Sequence, residues 1–163
     1  RNRRQRQMCI RDRAALEQLT DVVFDVVLLH EQGEVLAGKR LGPAWQEMLA
    51  GLPRSKTEIM LRALRDHLAD ALSTLPGLVE HGRDASLHFY FASLTGMQKE
   101  LFPSLVRVYE TWVNEGRREV FTNLLARSEN HWDALARQVM DSYRESPDDC
   151  ADRLQALVES NRL

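Results

Sequence analysis

The sequence predicts an all-α protein, a single antiparallel bundle of six to seven helices around a central ligand cavity. Apolar residues recur every three or four positions through most of the 163 residues, which is the period of an amphipathic helix. No run shows the strict alternation of a half-buried strand. With 44% hydrophobic and 28% charged residues, the chain has enough apolar material for one ordinary core.

The charge balance and the two cysteines narrow the function classes. A formal net charge of −2 argues against direct binding of nucleic acid, because proteins that bind it usually carry a concentrated basic face. Cys9 and Cys150 lie in unrelated contexts and indicate neither a disulfide framework nor a thiolate zinc site. No apolar run approaches the roughly 20 residues that a bilayer requires. The sequence therefore predicts a cytoplasmic protein with no membrane partner.

The first 13 residues differ from the rest. Residues 1–13 are rich in arginine and predict either a disordered basic arm or a cloning or assembly scar, since residues 8–13 resemble a translated adapter. The helical domain is expected over residues 14–163.

The first helix is predicted from residue 14 to the Gly42-Pro43 pair. Leu16, Leu19 and Val23 begin its apolar stripe, which continues to Leu36. A glycine at position 33 costs about 1 kcal/mol in a helix, so its presence inside this stripe predicts a kink or a close approach of another backbone.

Two further helices precede the middle of the chain. A short amphipathic piece surrounds Trp45. Ser55 or Thr57 can cap the next helix, which Pro76-Gly77 should stop. Its apolar stripe is predicted at Met60, Leu64, Leu68, Ala71 and Leu75. His67 lies on this helix beside charged neighbours and is predicted to face solvent.

The middle of the chain carries a polar pair on a short helix, predicted over residues 83–95. Asp84 and His88 are four residues apart, so both side chains lie on one face of the helix. Gly96 is predicted to end it in a left-handed conformation. This helix is predicted to be central and mostly buried.

Three more helices complete the prediction. The first follows Gly96 with Pro103 in its early turns, and Gly116 separates it from a helix with Phe121, Leu124, Ser128, Trp132, Leu135 and Val139 in register. Residues 146–148 predict the start of the last helix, which places Asn161 on its inward face.

The positions of four polar residues on their helix faces predict a metal site in the interior. Asp84 and His88 from the central helix, His131 from the penultimate helix and Asn161 from the last all face inward. Helical bundles build metal sites from Asp and His side chains that converge from separate helices. Imidazoles with a carboxylate suit zinc, nickel or manganese.

The same residues resemble the FCD ligand-sensing domain of GntR-type bacterial transcription regulators, over about Leu16 to Leu163. The resemblance rests on short motifs at the first, central, penultimate and last helices. They are Phe24 to Glu31, Asp84-Ala-Ser-Leu-His88 with Ala92-Ser-Leu-Thr-Gly96, Ser128-Glu-Asn-His131 with Ala134-Leu-Ala, and Ala156-Leu-Val-Glu-Ser-Asn161.

The resemblance implies a domain that senses a small effector, frequently a carboxylate, and forms a homodimer. Asp84, His88 and His131 would ligate a divalent metal. The family's usual third histidine falls on Asn161, and an arginine often found in its first helix falls on Val27. DNA would be bound only through an upstream winged-helix domain that these residues do not include.

Other functions remain open at this point. Asn161, Phe91 and Trp132 are predicted ligand contacts, which also fits a metal-free sensor of acyl or hydrophobic ligands. A helical interaction module is another alternative, and in such a module Asp84, His88 and His131 would not lie close together. A metal-dependent hydrolase is a further alternative. No general base or nucleophile motif is recognisable, so an enzyme is not predicted. His30 and His81 are predicted to lie at the surface or the rim.

Overall fold

Helix is the only regular secondary structure in the described part of the chain, which confirms the all-α class. A computed structural model describes the backbone of residues 2–147 and 150–163 and the side chains of residues 12–147 and 150–163. The helices in chain order are α1 (Asn2–Leu41), α2 (Pro43–Gly51), α3 (Lys56–Ala69), a π-helical segment (Asp70–Thr74), α4 (Leu75–Glu80), α5 (Asp84–Ser93), α6 (Gly96–Leu101), α7 (Pro103–Glu115), α8 (Val120–Glu145) and α9 (Ala151–Ser160).

The central element is the continuous helix formed by α3, the π-helical segment and α4. Its apolar stripe is completely buried at Met60, Leu64, Leu68 and Leu75, and α3 packs against α1, α6, α8 and α9. Ser55 caps α3, because its hydroxyl accepts a hydrogen bond from the backbone N–H of Glu58. The prediction that the helix of Asp84 and His88 is central is therefore wrong.

Helix α1 crosses the central element at very short range. A Cβ atom added to Gly33 would lie 2.8 Å from the carbonyl carbon of Ala69, a separation that real Cβ atoms do not adopt with the backbone of another helix. The predicted close approach of a second backbone at Gly33 is thus confirmed. Gly77 makes a similar approach to the side chain of Leu29. Glycines at both crossing points let α1 lie directly on the central element.

Some predicted helix ends differ from the observed ones. Gly96 is the first residue of α6, where Thr95 caps the helix in a capping box with Gln98. It does not adopt the left-handed conformation predicted for it. Phe102 separates α6 from α7, because Pro103 lacks the N–H needed to continue a helix.

The predicted start of the last helix lies partly outside the described residues. Residues 148 and 149 are not described, and α9 begins at Ala151. At the other end of the chain, the backbone of residues 2–13 belongs to α1. Among the described residues, no helix combines the length and apolar character needed to cross a membrane.

Candidate functional site

Asp84 and His88 do not share a ligand site. Asp84 is the first residue of α5, and its carboxylate accepts a hydrogen bond of 3.1 Å from Nη1 of Arg118. His88 bonds the Tyr109 hydroxyl through Nδ1 at 2.8 Å, and its ring lies 4.8 Å from that of Trp112. Each side chain therefore has its own partner on α7 or in the turn that follows it.

His131 and Asn161 do meet, but through the backbone of Asn161. The Nε2 atom of His131 donates a hydrogen bond of 2.8 Å to the Asn161 carbonyl oxygen, and burial lowers the pKa of this histidine. The Asn161 side chain donates to the Leu157 carbonyl oxygen at 2.8 Å. The first bond joins the end of α9 to α8 and the second closes the last turn of α9, so both residues have a structural role.

The predicted metal site is not assembled. Within residues 12–147 and 150–163, no group of three or more His, Cys, Asp or Glu side chains is arranged to hold a metal ion. Asp84, His88 and His131 are thus not brought together, because the first two side chains are exposed and each of the three has a different partner. Zinc, nickel or manganese has no site built from these three residues.

Phe91 and Trp132, the predicted ligand contacts, are core residues. Phe91 stacks on Tyr109 with 4.0 Å between ring centroids. Trp132 is completely buried and stacks on His67 at 4.9 Å. His67 is itself completely buried, so its predicted surface position is wrong.

A different group of polar residues converges in a cavity between α1, α3, α5 and the start of α6. We call it the His30 pocket. Its volume is about 290 Å³, at the small end of the range for ligand sites. It is lined by Val26, Val27, His30, Glu31, Asp66, Asp70, Phe89, Tyr90, Ser93, Leu94 and Gln98.

Asp70 is the centre of the polar network in this pocket. It is 1% exposed and is the first residue of the π-helical segment. One carboxylate oxygen accepts a hydrogen bond of 3.1 Å from Nδ1 of His30, and the other accepts one of 2.8 Å from the Tyr90 hydroxyl. The network thus joins α1, the central element and α5. Single π-helical turns inside α-helices are frequent at functional sites.

The protonation of these groups follows from their surroundings. The hydrogen bond to Asp70 raises the pKa of His30. Burial raises the pKa of Tyr90 well above its usual value, and the charge of Asp70 acts in the same direction. Burial also raises the pKa of Asp66 and lowers that of His67. His30 therefore keeps its proton more readily than a free histidine.

This geometry is suited to binding. A histidine held by a buried aspartate also occurs in catalytic triads, and Ser93 lines the same pocket. However, the Ser93 hydroxyl donates to the carbonyl oxygen of Tyr90 at 2.8 Å. The Nε2 atom of His30 lies 3.7 Å from a Glu34 carboxylate oxygen. Neither group is directed at the other as a nucleophile and its base would be.

The sequence contains a weak signal for this pocket. Asp66 and Asp70 are four residues apart, and Asp70 stands between two alanines in an apolar stripe, where a carboxylate needs a partner. Its partner His30 is 40 residues away in the chain. Helical periodicity alone gives no means of pairing the two.

Comparisons with known proteins give one match. A family model described as "Family of unknown function (DUF6866) C-terminal domain" matches residues 5–161. No curated protein matches the chain, and no solved structure matches it.

Proposed function

The chain belongs to the DUF6866 C-terminal domain family, a family of unknown function, and from the geometry of the His30 pocket we propose that it senses a small-molecule effector. One observation carries the proposal. His30, Asp70 and Tyr90 come from three separate helical elements and join in one hydrogen-bond network at an open cavity. A ligand in this cavity touches all three elements and so changes how they pack.

The wider role rests on the sequence motifs. Their resemblance to the FCD domain supports a sensor in a GntR-type regulator, which would act in the cytoplasm and reach DNA through a separate domain. The site differs from the one the resemblance implies, since it lies between α1, α3 and α5 and contains none of Asp84, His88 and His131. The predicted central cavity of an antiparallel bundle is not needed for this proposal.

A thermal-shift screen tests effector binding. Small organic acids, amines and neutral metabolites are tested with and without zinc or nickel. An effector at 100 times its dissociation constant stabilises the folded protein by about 2.7 kcal/mol, which raises the Tm by roughly 5–10 °C. We expect His30→Ala to lose this shift, because the variant removes a pocket wall and a partner of Asp70.

The matched control is His81→Ala, which removes an exposed histidine outside the pocket and should respond like the wild type. A ligand shift that survives in His30→Ala would contradict the proposed site. A shift that survives there only with added metal would place the binding site outside the His30 pocket.

Self-association through α1 is a second candidate function, favoured by the exposed apolar surface of that helix. Seven of the nine exposed large apolar side chains in the described residues lie on α1. Val27 and Leu28 lie on one side of Glu31 and Gln32, and Val35 and Leu36 lie symmetrically on the other. A two-fold axis between positions 31 and 32 would set Leu28 of one copy against Val35 of an antiparallel second copy. We therefore propose that the homodimer forms here.

Leu28→Lys tests this dimer. A charge placed in the apolar contact would have to be desolvated, so we expect sedimentation velocity to give a dimer for the wild type and a monomer for Leu28→Lys. Ile59→Lys is the matched control, because Ile59 is a similarly exposed apolar residue on α3. A wild type that stays monomeric at the highest soluble concentration would refute the dimer.

A further inference from the structure

The His30 pocket is rich in negative charge. Three carboxylates line it, from Glu31 on α1 and from Asp66 and Asp70 on the central element. None of its lining residues is lysine or arginine, and His30 is the single histidine among them. A carboxylate ligand would therefore meet more negative than positive charge in this pocket.

Two of these carboxylates repel each other in the absence of a cation. Asp66 and Asp70 are one helical turn apart, a spacing at which like charges destabilise a helix. Asp70 is compensated by His30 and Tyr90. Asp66 is half-buried and has one ion pair, with Arg65 at 3.3 Å, and that arginine also pairs with Glu34 at 2.6 Å. The charge of Asp66 is thus only partly balanced.

Glu31 supplies a further free carboxylate. It is exposed at the mouth of the pocket and forms no ion pair within the described residues. Because Glu31 stands on α1 and Asp66 on α3, a cation between them would be held from both sides of the cavity. The Asp70 carboxylate, already bonded on both oxygens, adds fixed negative charge behind them.

The remaining walls suit an apolar or aromatic ligand body. Val26, Val27 and Leu94 line the pocket together with the rings of Phe89 and Tyr90. Aromatic ring faces attract cations as well as apolar groups. The volume of about 290 Å³ limits the ligand to a small molecule.

We infer that the effector of the His30 pocket is a small amine, with a protonated nitrogen held between Glu31 and Asp66 and an apolar or aromatic body against Val27, Phe89 and Leu94. The inference rests on the proposed effector-binding function. It differs from the carboxylate effector that the FCD resemblance implies, because the one histidine of the pocket is already paired with Asp70 and no lysine or arginine lines the cavity.

Three probes that differ in one polar group test the inference. Benzylamine, benzyl alcohol and benzoate share the same ring and similar size. Isothermal titration calorimetry of the intact chain should show saturable binding of benzylamine and none of benzoate. Glu31→Gln and Asp66→Asn should each weaken benzylamine binding by roughly tenfold, as expected for the loss of one partly desolvated charge contact.

Glu17→Gln controls for net charge, since it removes one exposed carboxylate of α1 away from the pocket. It should leave benzylamine binding unchanged. Saturable binding of benzoate or benzyl alcohol without benzylamine, lost in His30→Ala, would overturn the amine while keeping the pocket. Benzylamine binding that is the same in Glu31→Gln, Asp66→Asn and Glu17→Gln would also overturn it. Absence of binding by all three probes would overturn the amine, and the thermal-shift screen would then decide separately whether the protein binds an effector.

Discussion

Gly33→Ala is expected to destabilise the domain by about 3 kcal/mol, the upper end of the usual cost of overpacking. The new Cβ would overlap the carbonyl oxygen of Ala69 and lie 2.8 Å from its carbonyl carbon. Both atoms belong to the backbone of the central element, so no side-chain rotation can make room. Helix α1 would have to move away from α3 and the π-helical segment. Urea unfolding followed by circular dichroism measures the change.

Gly38→Ala provides the matched control on the same helix. An added Cβ at Gly38 has nothing within 4 Å, and alanine is favoured over glycine in a helix by about 1 kcal/mol. We therefore expect Gly38→Ala to be neutral or stabilising. Equal effects of the two substitutions would show that α1 does not cross the central element closely at Gly33.

Asp70→Ala is expected to lower the free energy of unfolding by about 2–3 kcal/mol, because it leaves the buried Tyr90 hydroxyl and His30 Nδ1 without their acceptor. For a chain of this size the Tm should fall by roughly 4–12 °C. The comparison is Asp84→Asn, which changes an exposed aspartate, 68% exposed at its side chain. An exposed ion pair contributes about 0–1 kcal/mol, so Asp84→Asn should have little effect.

The Asp70 effect should also depend on pH. The pKa of His30 is raised by its hydrogen bond to Asp70. The stability from this pair is therefore fully present below the unfolded pKa of about 6.5 and is lost as pH rises through the folded pKa. Asp70→Asn removes the charge and keeps an acceptor, so its destabilisation should be larger at pH 6 than at pH 8. Equal destabilisation at both pH values would contradict a charged His30 in the network.

Coupling between effector and dimer follows from the position of α1. Val27 and Glu31 belong to both features, because they line the pocket and also lie on the face that the proposed dimer axis crosses, beside Leu28 and Val35. If both proposals hold, a ligand that moves α1 also changes the surface offered to a second copy. Such a link would let effector binding bias one dimer geometry over another.

Helical periodicity was sufficient for much of the core. The stripe of α8 from Phe121 to Val139 is buried at each predicted position, and the stripe from Met60 to Leu75 is buried as well. These predictions hold because an amphipathic helix is stable only with its apolar face covered. The orientation of the short helix α5 was harder to predict. Its ten residues carry apolar side chains on several faces, so they do not define which polar side chains point inward.

The candidate site shows what helical periodicity does not predict. Asp84 and His88 share a helix face as predicted, but that face is exposed, and their partners come from Arg118 and Tyr109. His30 and Asp70 were not predicted to form a site, because the sequence around each residue does not indicate a partner for it. Their contact depends on the glycine-mediated crossing of α1 over the central element. The π-helical segment that begins at Asp70 also changes the helical phase, which a fixed period of 3.6 residues does not anticipate.

The sequence by itself determined that this protein is all-α, where its long amphipathic helices lie, and that Gly33 marks either a kink or a close backbone approach. These are local properties, set by residue spacing and by the absence of a side chain. Only the tertiary structure decided that Asp84, His88 and His131 stay apart and that His30, Asp70 and Tyr90 meet in an acidic pocket. Such contacts depend on how helices distant in the chain cross, and the packing of the whole core fixes those crossings.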